Sequence, residues 1–323
     1  MLDETYYLCR VPSYDIIVLF NEADSLPELM QWIDRVMQEN KFSYEVIMVD
    51  DGSDDDSWAV IEKLRTEFAG LKGIRFQRNY GKSAALNEGF KAAQGDIVVT
   101  MDADLQDSPD EIPEFYDMIM NQGYHLVSGW KKKRYDNTFT KNIPSKIYNA
   151  VARKSSGIHL HDFNCGIKAY QLKVVKSIEV FGEMHRYIPI LAKWAGFKKI
   201  GEKVVVHQAR KYGTTKFGWE RFVNGFLDLL TIQFLSKFGK KPMQFFGLIG
   251  TLFFLVGFVS FLYIIIGKFI DPVTSITNKP AFFIALTSMI IGTQLFLAGF
   301  IAELVNRSAV DRNTYLIEET QGW

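Results

Sequence analysis

The segment TMDADLQDSPDEI, residues 100–112, places five acidic residues directly behind an apolar run. Asp102 and Asp104 are two residues apart, so on extended backbone their carboxylates point to the same side. Carboxylate oxygens of this kind suit Mg²⁺ or Mn²⁺, with waters and substrate phosphates completing the shell. The alternative is a solvated acidic turn. A calcium-binding EF-hand loop is excluded, because its sixth and twelfth positions would be Asp107 and Pro113 instead of glycine and glutamate.

Charge is divided unevenly along the chain, although the formal net charge is zero. Residues 1–130 hold 10 Lys and Arg against 25 Asp and Glu, whereas residues 131–242 hold 23 against 7. Such a basic segment faces nucleic acid, a phosphorylated ligand or lipid headgroups, or is a solvated face. Together with a metal, basic side chains would stabilise the charge on a diphosphate leaving a sugar. The candidates are Arg134, Lys141, Arg186, Arg210, Lys211 and Lys216. Residues 131–133, all lysine, could be no more than solubilising charge.

The acidic segment lies in a chain whose first half alternates predicted strands and helices. Strands are predicted at 15–20, 44–49, 74–77, 96–101 and 125–130, and helices from a capping box at Ser25, at 58–68, at 83–93 and from Pro109. This order predicts an α/β fold with a mostly parallel sheet covered by helices on both faces. Ligands bind such sheets at the carboxyl ends of the strands, where 21–22, 50–51 and 102–104 lie. The sequence has no GxGxxG after the first strand and no P-loop motif.

Two of these helix starts carry more detailed predictions. The first helix is expected to bury Leu26, Leu29, Ile33 and Val36. Asp107, Asp110 and Glu111 are expected to be turn and first-turn acids of the helix that begins near Pro109, where negative charge suits the helix dipole.

Two uncharged stretches, 243–267 and 280–302, each exceed the roughly 20 apolar residues that cross a bilayer core. They are predicted to span a membrane, the alternative being buried helices of a soluble protein. Flanking lysines and arginines place both termini in the cytoplasm under the positive-inside rule. Residues 217–238 mix aromatic, aliphatic and charged side chains, which suits an amphipathic interfacial helix or a core helix. The two cysteines, Cys9 and Cys165, predict neither a disulfide framework nor a zinc site.

Several motifs, taken in order, carry a resemblance to a known family. They are FNEADSLPEL, VDDGSDDDS, RNYGKSAALNEGF, DADLQDSPDEI, HDFNCGIKAY, GEMHRYIPILA and HQARKYGTTKFGWERF. From about residue 15 to the end, the chain resembles the GT-A, family 2 polyprenyl-phosphate glycosyltransferases, which include dolichol-phosphate mannose synthases and bactoprenol glucosyltransferases. The resemblance implies a GT-A (Rossmann-like) catalytic domain over 1–216, a juxtamembrane amphipathic helix over 217–242, a two-helix transmembrane hairpin over 243–304 and a cytosolic tail over 305–323.

The resemblance also implies roles for individual residues. The nucleotide-binding positions would be Phe20, Asn21, Glu22, Asp51, Lys82 and Asp102. The metal ligands would be Asp102, Asp104 and Gln106. The positions meeting the acceptor phosphate or the diphosphate would be Arg134, Lys141, Ser145, Arg186, Arg210 and Lys216, the last two on a loop that closes over the phosphates. Besides Asp104, the predicted catalytic residue is Asp162, which matches an acid assigned as catalytic base in relatives. A phosphate monoester, with a second pKa near about 6, is already largely dianionic, so Asp162 could instead position substrate.

The expected activity is an inverting transfer of a sugar, dependent on Mg²⁺ or Mn²⁺, to a membrane polyprenyl phosphate. UDP-glucose is the favoured donor, and GDP-mannose is the alternative. The enzyme would be a multi-pass protein of the cytoplasmic membrane, with no nucleic-acid partner and with a homo-oligomer such as a tetramer left open. A processive polysaccharide synthase is a second enzymatic hypothesis, although HQARKYG lacks the tryptophan of a QxxRW-type motif. A membrane-anchored nucleotide-sugar-binding protein is the non-enzymatic hypothesis.

Overall fold

The structure is a computed structural model. It describes residues 13–19, 22–132, 149–208, 241–270 and 275–308, except 151, 155 and 183, together with Phe234 and Phe238. Met1–Leu229 and Leu230–Trp323 form two compact units. The predicted interfacial helix over 217–238 falls almost wholly outside the described residues, and the predicted domain boundaries at 216 and 242 stay predictions.

The described part of the first unit contains a seven-stranded sheet in the order β3-β2-β1-β4-β6-β5-β7. The strands are β1 Ser13–Leu19, β2 Ser43–Asp50, β3 Leu71–Arg75, β4 Ile97–Thr100, β5 Leu126–Trp130, β6 Lys168–Gln171 and β7 Ile200–Val204. β6 is antiparallel to β4 and β5, and every other pair is parallel. The predicted mostly parallel sheet is confirmed. β6 and β7 were not predicted.

The third strand differs from its predicted position at 74–77. It begins at Leu71, which pairs with Val46 and is buried, and it ends at Arg75. Phe76 leaves the ladder after one more backbone bond, donated to the Asp50 carbonyl at 2.8 Å. Lys72 and Gly73 separate the buried Leu71 from the half-buried Ile74 and break the apolar run, and this is why the sequence pattern misplaces the start of the strand.

Helices follow the strands in the predicted alternation. They are α1 Leu26–Glu39, α2 Ser57–Glu67, α3 Lys82–Ala92, α4 Ile112–Met120, α5 Leu172–Lys176 and α6 Ile188–Trp194. The buried face predicted for α1 is confirmed. The predicted capping box is wrong, because the Ser25 hydroxyl donates to the Glu22 carbonyl at 2.8 Å and accepts no helix N–H. Before α4, Ser108 Oγ accepts the Asp110 N–H at 3.3 Å and caps the short 3₁₀ turn Pro109–Glu111.

Two hydrophobic cores lie on opposite faces of the sheet. Along β2, Val46 and Met48 belong to the core that contains the buried residues of α1 and α4. Ile47 and Val49 belong to the core that contains those of α3, α5 and α6. Successive strand residues point to opposite faces, so one buried strand supplies both cores. The prediction of helices on both faces is confirmed.

Two long helices, α7 Pro242–Ile270 and α8 Pro280–Ser308, lie in the described part of the second unit. Both are long and apolar enough to cross a membrane, and most of their residues are exposed in the structure. They pack through small residues: a Cβ atom at Gly250 would lie 2.6 Å from the Gly292 carbonyl oxygen, and one at Gly257 would lie 2.7 Å from that of Ala285. The helices are therefore antiparallel, and their backbones touch where glycine provides room.

Candidate active site

The ends of several strands meet at one edge of the sheet. β2 and β4 run parallel to β1, so the residues that follow Asp50 and Thr100 lie at the same edge. Lys168, the first residue of β6, is opposite Thr100 because β6 runs antiparallel to β4. β5 and β7 end at this edge too, since β5 is antiparallel to β6 and parallel to β7. The prediction that 50–51 and 102–104 share one edge is confirmed.

A cleft opens beside Asp102 and Lys168. Among the described residues, the charged side chains that line it are Lys82, Asp102, Lys168 and Arg186, with His185 next to them. Three cations against one carboxylate favour an anionic ligand, and phosphate is one of the anions that lysine and arginine bind through charge-assisted hydrogen bonds.

Asp102 lies on the wall of this cleft. The ammonium group of Lys82 forms an ion pair with Asp102 Oδ1. Burial favours the neutral acid, but the charges of Lys82, Lys131 and Lys168 outweigh it and hold the pKa of Asp102 well below its usual range. The carboxylate is therefore ionised at neutral pH, which is the form that binds a cation.

Gly166 makes room for Asp102 and its neighbour Asp107. A Cβ atom at Gly166 would lie 2.4 Å from Asp102 Oδ2 and 2.7 Å from Asp107 Oδ2. Both distances are shorter than any normal contact between carbon and oxygen. Glycine in the HDFNCG motif thus lets two carboxylates pack against the backbone that leads into β6.

Asp104 and Gln106 are held together in the loop after β4. Asp104 is buried, and its Oδ1 accepts the Gln106 N–H at 3.2 Å. Leu105, between them, has a φ of 58°, in the left-handed region that is uncommon for a branched side chain. Neither Asp104 nor Gln106 lines the cleft.

These residues fit a divalent metal that arrives with its phosphates. Within the described ranges, no three His, Cys, Asp or Glu side chains form a metal cluster. Mg²⁺ commonly binds through one or two carboxylates and takes its other oxygens from substrate phosphates and water. One ionised aspartate on a cationic cleft, with a second in the same loop, is a donor set of that kind.

Asp107 and Lys131 differ from their predicted roles. Asp107 was expected to be a turn acid, and solubilising charge was one alternative for Lys131, yet Asp107 is fully buried and lies 2.7 Å from the Lys131 ammonium. Burial lowers the pKa of Lys131, but Asp107, Cys165 and Asp102 outweigh it and raise the pKa above its usual value. Composition could not separate this lysine from the two lysines that follow it in the sequence, because the ion pair depends on strand pairing.

Asp51 is buried, and both its oxygens accept backbone hydrogen bonds. Oδ1 accepts the Tyr80 N–H at 2.7 Å and Oδ2 accepts the Gly81 N–H at 2.9 Å. Burial raises the pKa of Asp51, while these two bonds offset part of the rise. The carboxylate thereby holds the loop that delivers Lys82 to the cleft. Its predicted contact with the nucleotide base or ribose stays a prediction.

Among the described residues that line the cleft, Lys168 is a charged one that the sequence predictions missed. It is 4% exposed, and its ammonium donates to the Cys165 carbonyl. Burial lowers the pKa of Lys168, and nearby Lys82 lowers it further. The sequence signal that could have identified Lys168 is its place in the otherwise apolar segment CGIKAY, which leads into β6. Lysine is rarely buried unless it has a partner.

The other predicted residues are divided between the cleft and its surroundings. Arg186 is buried and lines the cleft. Asp162 is buried outside it, and its Oδ1 accepts the N–H of Asn164, which does line the cleft, at 3.0 Å. The Glu22 N–H donates to Ser57 Oγ at 3.2 Å. The predicted positions Phe20, Asn21, Arg134, Lys141, Ser145, Arg210 and Lys216 lie outside the described residues.

Residues 16–179 match the family model described as Glycosyl transferase family 2. The chain belongs to this family. A dodecaprenyl-phosphate galacturonate synthase from Rhizobium johnstonii is 32% identical over 295 residues, covering 91% of this chain and 87% of that protein. An undecaprenyl-phosphate 4-deoxy-4-formamido-L-arabinose transferase from Aeromonas hydrophila is 32% identical over 308 residues, covering 94% and 92%. The family 2 assignment makes this chain a glycosyltransferase, so the enzymatic hypothesis is confirmed.

Solved structures confirm the GT-A fold of this family 2 glycosyltransferase. Glucosyl-3-phosphoglycerate synthase from Mycobacterium tuberculosis, in complex with uridine diphosphate, superposes with a TM-score of 0.54. The two share 17% identity, and the match covers 70% of this chain and 80% of the other. A further structure of that enzyme, with a TM-score of 0.51, contains Mn²⁺, uridine diphosphate and phosphoglyceric acid. At this identity the likeness concerns the fold.

Proposed function

We propose that this glycosyltransferase transfers a sugar from a nucleotide-diphosphate sugar to the phosphate of a membrane polyprenyl phosphate. The observation that carries the proposal is the cationic cleft around Asp102, which has the charges to hold a diphosphate and a metal. The acceptor class is supported by the two curated relatives, which align along about nine-tenths of the chain and carry polyprenyl-phosphate names. The two long apolar helices agree with an acceptor that stays in a bilayer.

Asp102 and Asp104 would hold the metal, with Gln106 as a weaker third ligand. Bound Mg²⁺ or Mn²⁺ would supply positive charge to the oxygens of the leaving diphosphate. Lys82, Lys168 and Arg186 supply further positive charge along the same cleft. Because charge develops on the leaving diphosphate, fixed cations that meet it there lower the barrier.

The acceptor requires positioning more than deprotonation. A phosphate monoester is already largely dianionic at neutral pH, with a second pKa of about 6. Asp162 accepts a backbone hydrogen bond from Asn164, so its carboxylate shapes the wall of the cleft. We therefore assign Asp162 a positioning role. In-line attack by the phosphate on the sugar carbon would invert the anomeric configuration.

The donor and the membrane arrangement are the finer parts of the proposal. We take UDP-glucose as the first donor to test, with GDP-mannose as the alternative. The relatives' names extend the panel to galacturonate and 4-deoxy-4-formamido-L-arabinose donors. The proposed location is the cytoplasmic membrane, with the catalytic domain and both termini in the cytosol. The proposal is compatible with a monomer or a homo-oligomer.

The test is formation of a lipid-linked sugar by the purified full-length chain. The protein in detergent receives Mn²⁺ or Mg²⁺, each nucleotide sugar in turn, and undecaprenyl phosphate, and the lipid fraction is read by mass spectrometry. We expect product with one donor, loss of product with a chelator, and loss in Asp102→Asn and Asp104→Asn. A folded protein that forms no lipid-linked sugar with any donor of the panel would overturn the proposal.

A further inference from the structure

The side chain of Lys82 forms an ion pair with Asp102, the carboxylate that is expected to bind the metal. Its ammonium pairs with Asp102 Oδ1, and both side chains are about one-third exposed toward the cleft, at 31% and 34%. The pair is accessible to solvent ions, in contrast to the fully buried Asp107 close by. In the structure, the positive charge next to Asp102 is therefore the ammonium group of Lys82.

The backbone of Lys82 is fixed, whereas its side chain has room to move. Lys82 is the first residue of α3 and follows Gly81, whose φ of 92° turns the chain into the helix. Both Tyr80 and Gly81 donate backbone hydrogen bonds to Asp51. A lysine ammonium on four methylene groups can swing through several ångströms about such an anchor.

The positive charges around the cleft make it unfavourable for Lys82 and a divalent cation to contact Asp102 at the same time. Lys168 and Lys82 line the same cleft, and the charge of Lys82 lowers the pKa of Lys168. A divalent cation at Asp102 would add two positive charges to the same place, so Lys82 could not keep its contact with Oδ1. A diphosphate in the cleft would be the nearest new partner for the displaced ammonium.

We propose that Lys82 is a positioning residue that holds Asp102 until the metal arrives and then moves to the donor diphosphate. The donor part of this inference rests on the proposed function. The exchange makes binding of free metal weak and binding of metal together with nucleotide strong. Lys82 thereby couples the two ligands and keeps Asp102 paired when the cleft holds neither.

Mn²⁺ binding tests the exchange without any turnover. The full-length chain in detergent is titrated with Mn²⁺, and the free ion is counted by electron paramagnetic resonance, with and without uridine diphosphate. In the absence of nucleotide, Lys82→Met should bind Mn²⁺ about two- to fivefold more tightly than wild type, the range expected from releasing one partly exposed ion pair. With Mn²⁺ present, the same variant should bind uridine diphosphate more weakly.

Two further variants make the result decisive. Lys82→Arg keeps the positive charge and should keep weak binding of free Mn²⁺. Lys91→Met, at the exposed end of the same helix where Lys91 pairs with Glu88, should behave as wild type. Unchanged or weaker Mn²⁺ binding in a folded Lys82→Met protein overturns the proposal, as does tighter binding in Lys82→Arg. Should Lys82→Met fail to fold by circular dichroism, Lys82→Gln takes its place. Since neither acceptor nor sugar is present, failure of the proposed reaction leaves this test unaffected.

Discussion

Adding one methyl group at Gly166 should disable the metal site. The new Cβ atom of Gly166→Ala would lie 2.4 Å from Asp102 Oδ2, 2.8 Å from Asp102 Cγ and 2.7 Å from Asp107 Oδ2. Restoring ordinary van der Waals contact requires a movement of about 1 Å by at least one carboxylate. Asp107 is fully buried and tied to Lys131, whereas Asp102 faces the cleft, so we expect Asp102 to move.

Two magnitudes follow from this displacement. Overpacking a filled site typically costs about 1–3 kcal/mol. For a unit of this size, each kcal/mol lowers the unfolding midpoint by about 2–4 °C. Catalysis should suffer more, because a misplacement of about 1 Å at a reacting centre can cost on the order of a hundredfold in rate. Mn²⁺ binding should weaken in parallel, since Asp102 would no longer point to its present position.

The assay compares unfolding midpoint, Mn²⁺ affinity and sugar transfer in Gly166→Ala and in a control. Gly267→Ala is suitable, because a Cβ atom there would have no atom within 4 Å. The control should match wild type in Mn²⁺ affinity and sugar transfer, and its midpoint should not fall, because alanine is more favourable than glycine inside a helix. If Gly166→Ala has the wild-type midpoint and the wild-type Mn²⁺ affinity, the backbone before β6 can shift away from the carboxylates without a cost in stability. The steric argument would then be wrong.

Four other predictions test separate parts of the molecule. Lys41 ends α1 in the left-handed conformation (φ 57°), so Lys41→Gly should stabilise the fold by about 0.5–1 kcal/mol in denaturant unfolding, whereas alanine there should not. Lys168→Met should lower kcat/KM at least about tenfold with little change in midpoint, because removing a buried charge offsets the lost hydrogen bond. Burial raises the pKa of the Cys165 thiol to about 12, so in a chain whose other cysteine is serine, iodoacetamide at pH 8 should label it only after unfolding. Gly292→Ala would place a Cβ atom 2.5 Å from the Phe254 backbone nitrogen, so it should lower the midpoint whereas Gly267→Ala should not.

The sheet was predictable where local pattern and burial agree. Buried strands such as β2 and β4 are continuous apolar runs, and parallel pairing follows from their alternation with helices. β6 was missed because it is only four residues long and has a lysine at its first position. Its antiparallel place between β4 and β5 depends on contacts between segments about 70 and 40 residues apart, which no local window contains.

The acidic motif of the site could be predicted from the sequence, but the contacts of its residues could not. Asp102 was identified because two carboxylates behind a buried strand have a chemical meaning of their own. The partner at Asp102 was less predictable: Lys82 was expected to meet the nucleotide, and in the structure it meets a predicted metal ligand. That contact depends on the packing of α3 against the sheet, and Asp51 fixes it by holding two backbone N–H groups.

The buried charges explain why the motifs of this chain extend beyond its predicted ligands. Close to Asp102, Asp107 and Lys131 form a buried ion pair, and the buried Lys168 ammonium donates to the Cys165 carbonyl. Removing Asp107 or Lys131 would leave the other charge buried and unpaired, and the charges of Lys131 and Lys168 help to keep Asp102 ionised. Gly166 belongs to the same arrangement, since only glycine lets the backbone approach both carboxylates. The residues around Asp102 thus depend on one another. Replacing Asp107 or Lys131 by an uncharged residue should therefore reduce activity as much as the loss of a direct metal ligand.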